Sequence, residues 1–360
     1  GAPNTLPQQL NGNTAETCNV YNLLKISRDA FGWSKDVKYL DYYEQGLLNQ
    51  IMGSIVEDGS KTYYQNMGVN QVMSWNDPFL NCACCNGTGL ENFSKLNDSL
   101  YFHDGSELFV AQYIASRLTW DDQGAVIRMD GTYPYSDTVS LTFEEADGRE
   151  LTLQLRIPAW ADSYTVTYNG EVYAQGSETG FVTMTKNFQE GDTITVTLPM
   201  DARLSPMSDN PDVTAISYGP VALAAVGHLN NGGKIVFASE AEKAAFAENL
   251  NTWLEPVEGE PLHFTAQAGE ETLHFVPFSE IGRQESTVYF TLTVEEGELE
   301  SGENLALGQP AKASEMYSAD YSAEKAVDGD PATRWCVLDA DMPQWIMVDL
   351  GKETLVTDVV

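Results

Sequence analysis

Three cysteines, Cys82, Cys84 and Cys85, fall within four positions of "NCACCNGTG", and only Cys18 and Cys336 exist besides them. Crowding thiols in a chain that otherwise nearly lacks them points to chemistry. Vicinal Cys84 and Cys85 bridge each other only with strain, and Cys82 sits too close to either for an ordinary disulfide. Metal ligation, catalysis and inert buried thiols stay open. A second donor pair, Glu16 and Cys18, lies upstream in "AETC", two positions apart at a helix start. Zinc commonly takes four donors from thiolate, imidazole and carboxylate. Glu16, Cys18, Cys84 and Cys85 would supply four. The competing reading of Glu16 is a capping box with Asn13 at the N-cap.

The elements that must position these residues are helical at first. Val20, Leu23, Leu24 and Ala30 recur at helical spacing, and Gly32 is expected to end that helix. A second helix is expected from near Asp36, burying Val37, Leu40, Leu47, Leu48 and Ile51. A third is expected from about Thr88, with Leu90, Phe93, Leu96 and Leu100 on one face. Between the last two lies the aromatic loop "KTYYQNMGVNQVMSWNDPFLNCACC", a length usual for functional loops.

After about residue 105 the hydrophobic period becomes two. Leu151, Leu153, Leu155 and Ile157 alternate with polar residues, as do Ile194, Val196 and Leu198. Asn169-Gly170 between two such runs is a hairpin signal. The pattern is that of a β-sandwich. A second β-rich segment follows "ISYGPVALAA", with one helix around Ser239 to Leu250. "EEGELESGEN" then reads as an acidic linker, and a new unit starts at Asn304.

The net charge of −34 repels phosphate backbones and argues against a nucleic-acid partner. The acidic residues are spread along the whole length and describe a solvated surface. No apolar run reaches membrane-spanning length, and no signal peptide is present, in a chain whose first residue is not Met. "GAPNTLPQQLNG" looks like protein interior and "LGKETLVTDVV" stops within a strand-like pattern, so the chain reads as a fragment truncated at both ends.

"NTAETCNVYNLLKISRDAFGWSKDVKYLDYYEQGLLNQIMGSI" with "CACCNGTGLENFSKLNDSLYF" resembles the β-L-arabinofuranosidase family of glycoside hydrolases, close to its bacterial arabinan- and pectin-degrading branch. The likeness covers roughly residues 1 to 300 and is strongest in the first 120. It implies a multidomain, α-then-β fold. Residues 1–104 would be the C-terminal part of an (α/α)6 catalytic barrel, 105–209 a β-sandwich, 210–296 a second β-rich accessory domain and 297–303 a linker.

The resemblance also implies a zinc ion held by Glu16, Cys18, Cys84 and Cys85, with Cys84 as the nucleophile. Glu44 of "YYE" would hydrogen-bond a sugar hydroxyl, and Tyr64 of "TYYQN" would line the sugar pocket. Cys82 lies beside the site and is not a family ligand. Zinc deprotonates a bound thiol, and two displacements at the anomeric carbon retain its configuration. Such a reaction needs a general acid for the leaving oxygen. The family's glutamate acid/base would fall just before Gly1, and no carboxylate precedes Glu16 in this chain. The chain alone is therefore expected to be inactive or nearly so. His103, His228, His263 and His274 are not at motif positions and read as surface or packed strand residues.

"NLALGQPAKASEMYSADYSAEKAVDGDPATRWCVLDADMPQWIMVDLGKE" resembles the opening of a discoidin, or factor 5/8 type C, β-sandwich, a module whose bacterial versions often bind sugars. It covers 304–360. Asp328, Asp330 and Thr333 fall in the loop that often carries a structural calcium ion, with an ordinary Asp-Gly turn as the alternative. Trp335 and Trp345 read as core residues and Cys336 as a buried free thiol.

The leading reading is an exo-acting, retaining glycosidase that releases L-arabinofuranose from arabinose-containing plant oligo- or polysaccharide. The alternatives are a non-catalytic carbohydrate-binding or scaffold protein with a structural zinc, and a glycosidase of the same superfamily for another sugar. The sugar-binding tail suits a secreted or cell-surface enzyme, with cytoplasmic family members as the counter-example. Oligomeric state is not legible.

Overall fold

A computed structural model describes residues 5–77, 79, 83–294, 304–338 and 343–352. It forms two compact units, Gly1–Glu295 and Glu296–Val360. Cys82 and the linker 297–303 lie outside the described residues.

The first unit opens with helix α1, Thr17–Ser34, and helix α2, Lys38–Gln45, which continues as a π-helical turn, Gly46–Ile51. Helix α3 spans Cys84–Ser94. Val20 and Leu24 of α1 pack with Tyr43, Leu47 and Ile51, and Phe93 and Leu96 lean on the same cluster. Periodicity located these helices but not their ends. Gly32 does not stop α1. The helix runs on to Ser34 and closes on Lys35, which adopts φ 58° and donates its N–H to the Phe31 carbonyl, the position where a left-handed residue usually terminates a helix. Helix α3 starts at Cys84, four residues before Thr88, and its Leu90 is 67% exposed. Three helices and a π-helical turn are what the described residues show of the expected (α/α)6 barrel.

The sandwich is organised around one 20-residue strand, Thr138–Ile157. Its first half pairs with Ala125–Asp130 and Thr193–Thr197. Its second half pairs with Gly180–Gln189 and, in parallel, with Glu107–Val110. A register shift between Asp147 and Glu150 separates the halves, as bulges do where a strand bends between layers. Leu141, Phe143, Leu151, Leu153, Leu155, Ile157, Ile194 and Val196 all enter one core. The Asn169-Gly170 hairpin forms between Tyr164–Tyr168 and Glu171–Gly176, with φ of 52° and 84° at its two turn residues. Those angles suit a type I′ turn.

A second, ten-stranded sheet follows. Helix α4, Glu240–Glu248, starts where Ser239 accepts a hydrogen bond from the Glu242 N–H. The aromatic loop joins this sheet. Its strand Gln71–Val72 pairs with Glu285–Thr287. The loop is thus a strap between the helices and the second sheet.

In the second unit, Ala311–Ala313 pairs with Ile346–Val348 over a small core of Ala311, Ala323 and Val327. Trp345 is 50% exposed and Cys336 half-buried, so neither is the core residue its sequence suggested. Trp335 is half-buried, its indole N–H held by the Glu315 carbonyl at 2.8 Å.

Candidate metal centre

Two helix starts converge. Glu16 is the N-cap residue of α1, and Cys18 lies in its first turn. Cys84 and Cys85 open α3. The Glu16 backbone pairs with Tyr64, and the Thr17 N–H donates to the Tyr63 carbonyl at 3.1 Å. The Thr17 hydroxyl donates to the Thr62 carbonyl, also at 3.1 Å. The aromatic loop therefore fixes the start of α1. The same loop passes close to α3, where a side chain at Gly89 would meet the Lys61 stem at 2.7 Å. A side chain at that position would have to push the Lys61 stem aside.

The result is one cluster. Ligand atoms of Glu16, Cys18, Cys84 and Cys85 all lie within 4.8 Å of one another. The Cys18 and Cys85 sulfurs are 3.2 Å apart, and the Cys85 sulfur is 3.9 Å from the Glu16 carboxylate. A tetrahedral zinc–thiolate centre with bonds of about 2.3 Å spaces its sulfurs roughly 3.8 Å apart. Three thiols and one carboxylate within 4.8 Å of one another are the donor set of such an ion, with the Cys18 and Cys85 sulfurs closer together than its bonds would hold them. Helix starts carry partial positive charge and favour thiolates. Glu16 does not form the capping box, since its side chain makes no cap hydrogen bond and it occupies the N-cap position itself. The carboxylate is left to the cluster.

The three thiols differ. Cys85 is 1% exposed, Cys18 half-buried and Cys84 exposed. Burial, followed by the contact with Cys18, pushes the Cys85 thiol well above the ordinary range. The Cys84 thiol is pulled down, first by Tyr63, whose hydroxyl lies 3.3 Å from its sulfur. That hydroxyl can donate to a thiolate, and the same contact raises the Tyr63 pKa. Thr88 brings its hydroxyl within 3.2 Å of the Cys18 sulfur. Tyr63 and Thr88 were missed by sequence reasoning. Spacing offered no reason to prefer Tyr63 over Tyr64, and Thr88, one helical turn after Cys84, was a weak signal. Tyr64 is exposed, with its ring tilted against that of Tyr63 at 4.6 Å between centroids.

Two expected outcomes follow. The chain purified without oxygen will carry near one zinc ion per molecule by elemental mass spectrometry, and Cys84→Ala will lose a clear share of it. In the metal-free chain, Tyr63→Phe will move the pH midpoint of Cys84 alkylation upward. At neutral pH the thiolate fraction then falls and alkylation slows by about two- to tenfold, because one pH unit is a factor of ten in ionisation. An unchanged midpoint would remove Tyr63 from the site.

Glu44 has a different setting from the one expected. It is 0% exposed. One carboxylate oxygen accepts from the Tyr133 hydroxyl at 2.5 Å and from the Arg156 guanidinium, and the other accepts from the Trp160 indole at 2.8 Å. Arg156, itself 0% exposed, also donates to Asp41 at 3.0 Å. Glu44 thus ties α2 to the sandwich, and its oxygens are occupied by protein rather than facing a pocket.

Asp328, Asp330 and Thr333 come together, but they satisfy one another. The Thr333 hydroxyl donates to Asp328 at 2.7 Å, and the Asp330 N–H donates to Asp328 at 3.0 Å. Gly329 supplies φ 78° between the two aspartates. This is the geometry of an Asp-Gly turn. His103, His228 and His274 are exposed strand or loop residues, and His263 sits half-buried 3.6 Å from Glu280. No helix among the described residues is long and apolar enough to cross a membrane.

Comparison with known proteins matches residues 1–98 to the catalytic domain, and residues 107–200 to the middle domain, of the GH127 beta-L-arabinofuranosidases. Residues 310–360 match the F5/8 type C domain. Among solved structures, a GH127 beta-L-arabinofuranosidase from Geobacillus stearothermophilus T6 is 21% identical with a TM-score of 0.62, the match covering 77% of this chain and 50% of that one. A structure described as a GH127 beta-arabinofuranosidase is 17% identical with a TM-score of 0.62, covering 78% of this chain and 50% of that one. One described as a glycoside hydrolase is also 17% identical, with a TM-score of 0.62 and coverage of 79% and 53%. These likenesses are of fold, and the chain spans about half the length of those structures. No curated protein matches it.

Proposed function

Residues 1–98 and 107–200 belong to the GH127 beta-L-arabinofuranosidase family, and on that premise we propose that the chain is part of a retaining glycoside hydrolase that releases L-arabinofuranose from plant glycans with Cys84 as its nucleophile. One observation carries the reading. Among the described cysteines of the cluster, Cys84 alone is exposed, while Cys85 beside it is buried. A closed structural zinc site has no need of an outward-facing ligand, whereas a nucleophile must meet its substrate.

Glu16, Cys18, Cys84 and Cys85 would hold the metal. A bound zinc ion keeps thiols deprotonated at neutral pH. The remaining chemistry belongs to the protein. The Cys84 thiolate attacks the anomeric carbon as the bond to the leaving oxygen breaks; that oxygen takes up a proton and departs as an alcohol, and a thioglycoside forms. Water then displaces the sulfur, gives up a proton that balances the first step, and restores the thiolate. Two inversions give retention. The Tyr63 hydroxyl, 3.3 Å from the sulfur, holds its direction. The discoidin-like unit supports a place outside the cell or on its surface, where plant polysaccharide is met.

The test is release of arabinose from an aryl β-L-arabinofuranoside, with the first-formed product followed by proton NMR. The β-anomer is expected. The α-anomer would overturn the double displacement. Failure of a protein as long as the solved matches to cleave any aryl furanoside would overturn the reading itself.

A further inference from the structure

One pair of sulfurs in the cluster meets across two helices. Cys18 and Cys85 approach to 3.2 Å across two helices, while Cys84 points its sulfur at Tyr63. Sulfurs at that distance are in contact and need only a small movement to bond. A Cys84–Cys85 bridge would close a strained ring between neighbours. Cys18 is half-buried, and Cys85 is 1% exposed.

We propose that Cys18 and Cys85 close into a disulfide when no metal holds them, so that metal loading and oxidation are mutually exclusive states of the site, with Cys84 left as a free thiol in the oxidised one. The oxidant is a peroxide. The Cys18 thiol takes one oxygen from hydrogen peroxide, giving a sulfenic acid and water. The Cys85 sulfur then attacks the Cys18 sulfur, and the second water leaves. Two thiols are oxidised and one peroxide is reduced. Only the mutual exclusion rests on the metal reading above; the pairing rests on the sulfur positions. The oxidised chain keeps its exposed nucleophile but loses two of the four metal donors.

The experiment treats the chelator-stripped chain with hydrogen peroxide, denatures it, and alkylates the thiols that remain. Two of the five cysteines are expected to escape alkylation, and tandem mass spectrometry is expected to show a Cys18–Cys85 link. Cys84→Ala should keep that loss, and Cys18→Ser and Cys85→Ser should each abolish it. If a serine variant misfolds, the linked peptide of the unsubstituted chain decides. A link that includes Cys84 or Cys82, or sulfinic acid on Cys84 with no link, would overturn the pairing. The zinc-loaded chain should keep all five thiols. Equal oxidation with and without zinc would overturn the mutual exclusion and the metal reading with it, while a Cys18–Cys85 link would still stand.

Discussion

On the mechanism proposed above, Cys84→Ala abolishes turnover of an aryl β-L-arabinofuranoside in a protein as long as the solved matches. Removing the nucleophile of a covalent catalyst costs on the order of 10^6-fold in kcat where it has been measured, because the remaining groups then have no first step to assist. Retained folding, read by circular dichroism, separates this loss from collapse of the domain. The zinc content must be read beside it, since Cys84 is also a donor. Cys85→Ser supplies the contrast. It touches the buried donor and leaves the exposed sulfur in place, so activity lost through the metal alone should return in part with excess zinc. Activity in Cys84→Ala within about tenfold of the parent would place the nucleophile elsewhere, since a missing nucleophile costs far more than that.

Arg156→Ala will destabilise the first unit by about 3–5 kcal/mol, the usual cost of leaving a buried charge without its partner. Glu44 loses its only guanidinium among the described contacts and Asp41 loses the donor 3.0 Å away. Burial already holds the Asp41 carboxyl above the ordinary range despite Arg156, so removing the cation leaves burial unopposed. Urea unfolding should show a lower midpoint with an unchanged slope. Adding Glu44→Gln to Arg156→Ala should recover part of the loss, because it removes the stranded charge while still offering an oxygen to Trp160 or Tyr133. A double variant less stable than the single one would mean that Glu44 contributes through those hydrogen bonds more than it costs as a charge.

The donor cluster of this protein was legible in the sequence because it is local. Two short motifs, "ETC" and "CACC", bring four donors within two helix starts, and helical and alternating periodicities mark the elements around them. Asn169-Gly170 named its own turn, since few residues tolerate two positive φ angles in succession. Element ends were less legible. Helix α3 begins at Cys84, four residues before Thr88, and no property of Thr88 reveals that.

The roles of individual side chains needed the tertiary structure. A vicinal pair of cysteines points in two directions at a helix start, and only the packing of α3 against α1 decides that Cys85 faces inward and Cys84 outward. Glu44 reads as a pocket residue from its motif. Its setting is decided by Arg156, Tyr133 and Trp160, partners 89 to 116 residues away. Periodicity says which face of an element is apolar. It does not say which other element will meet that face, and a buried charge takes its role from whatever it meets.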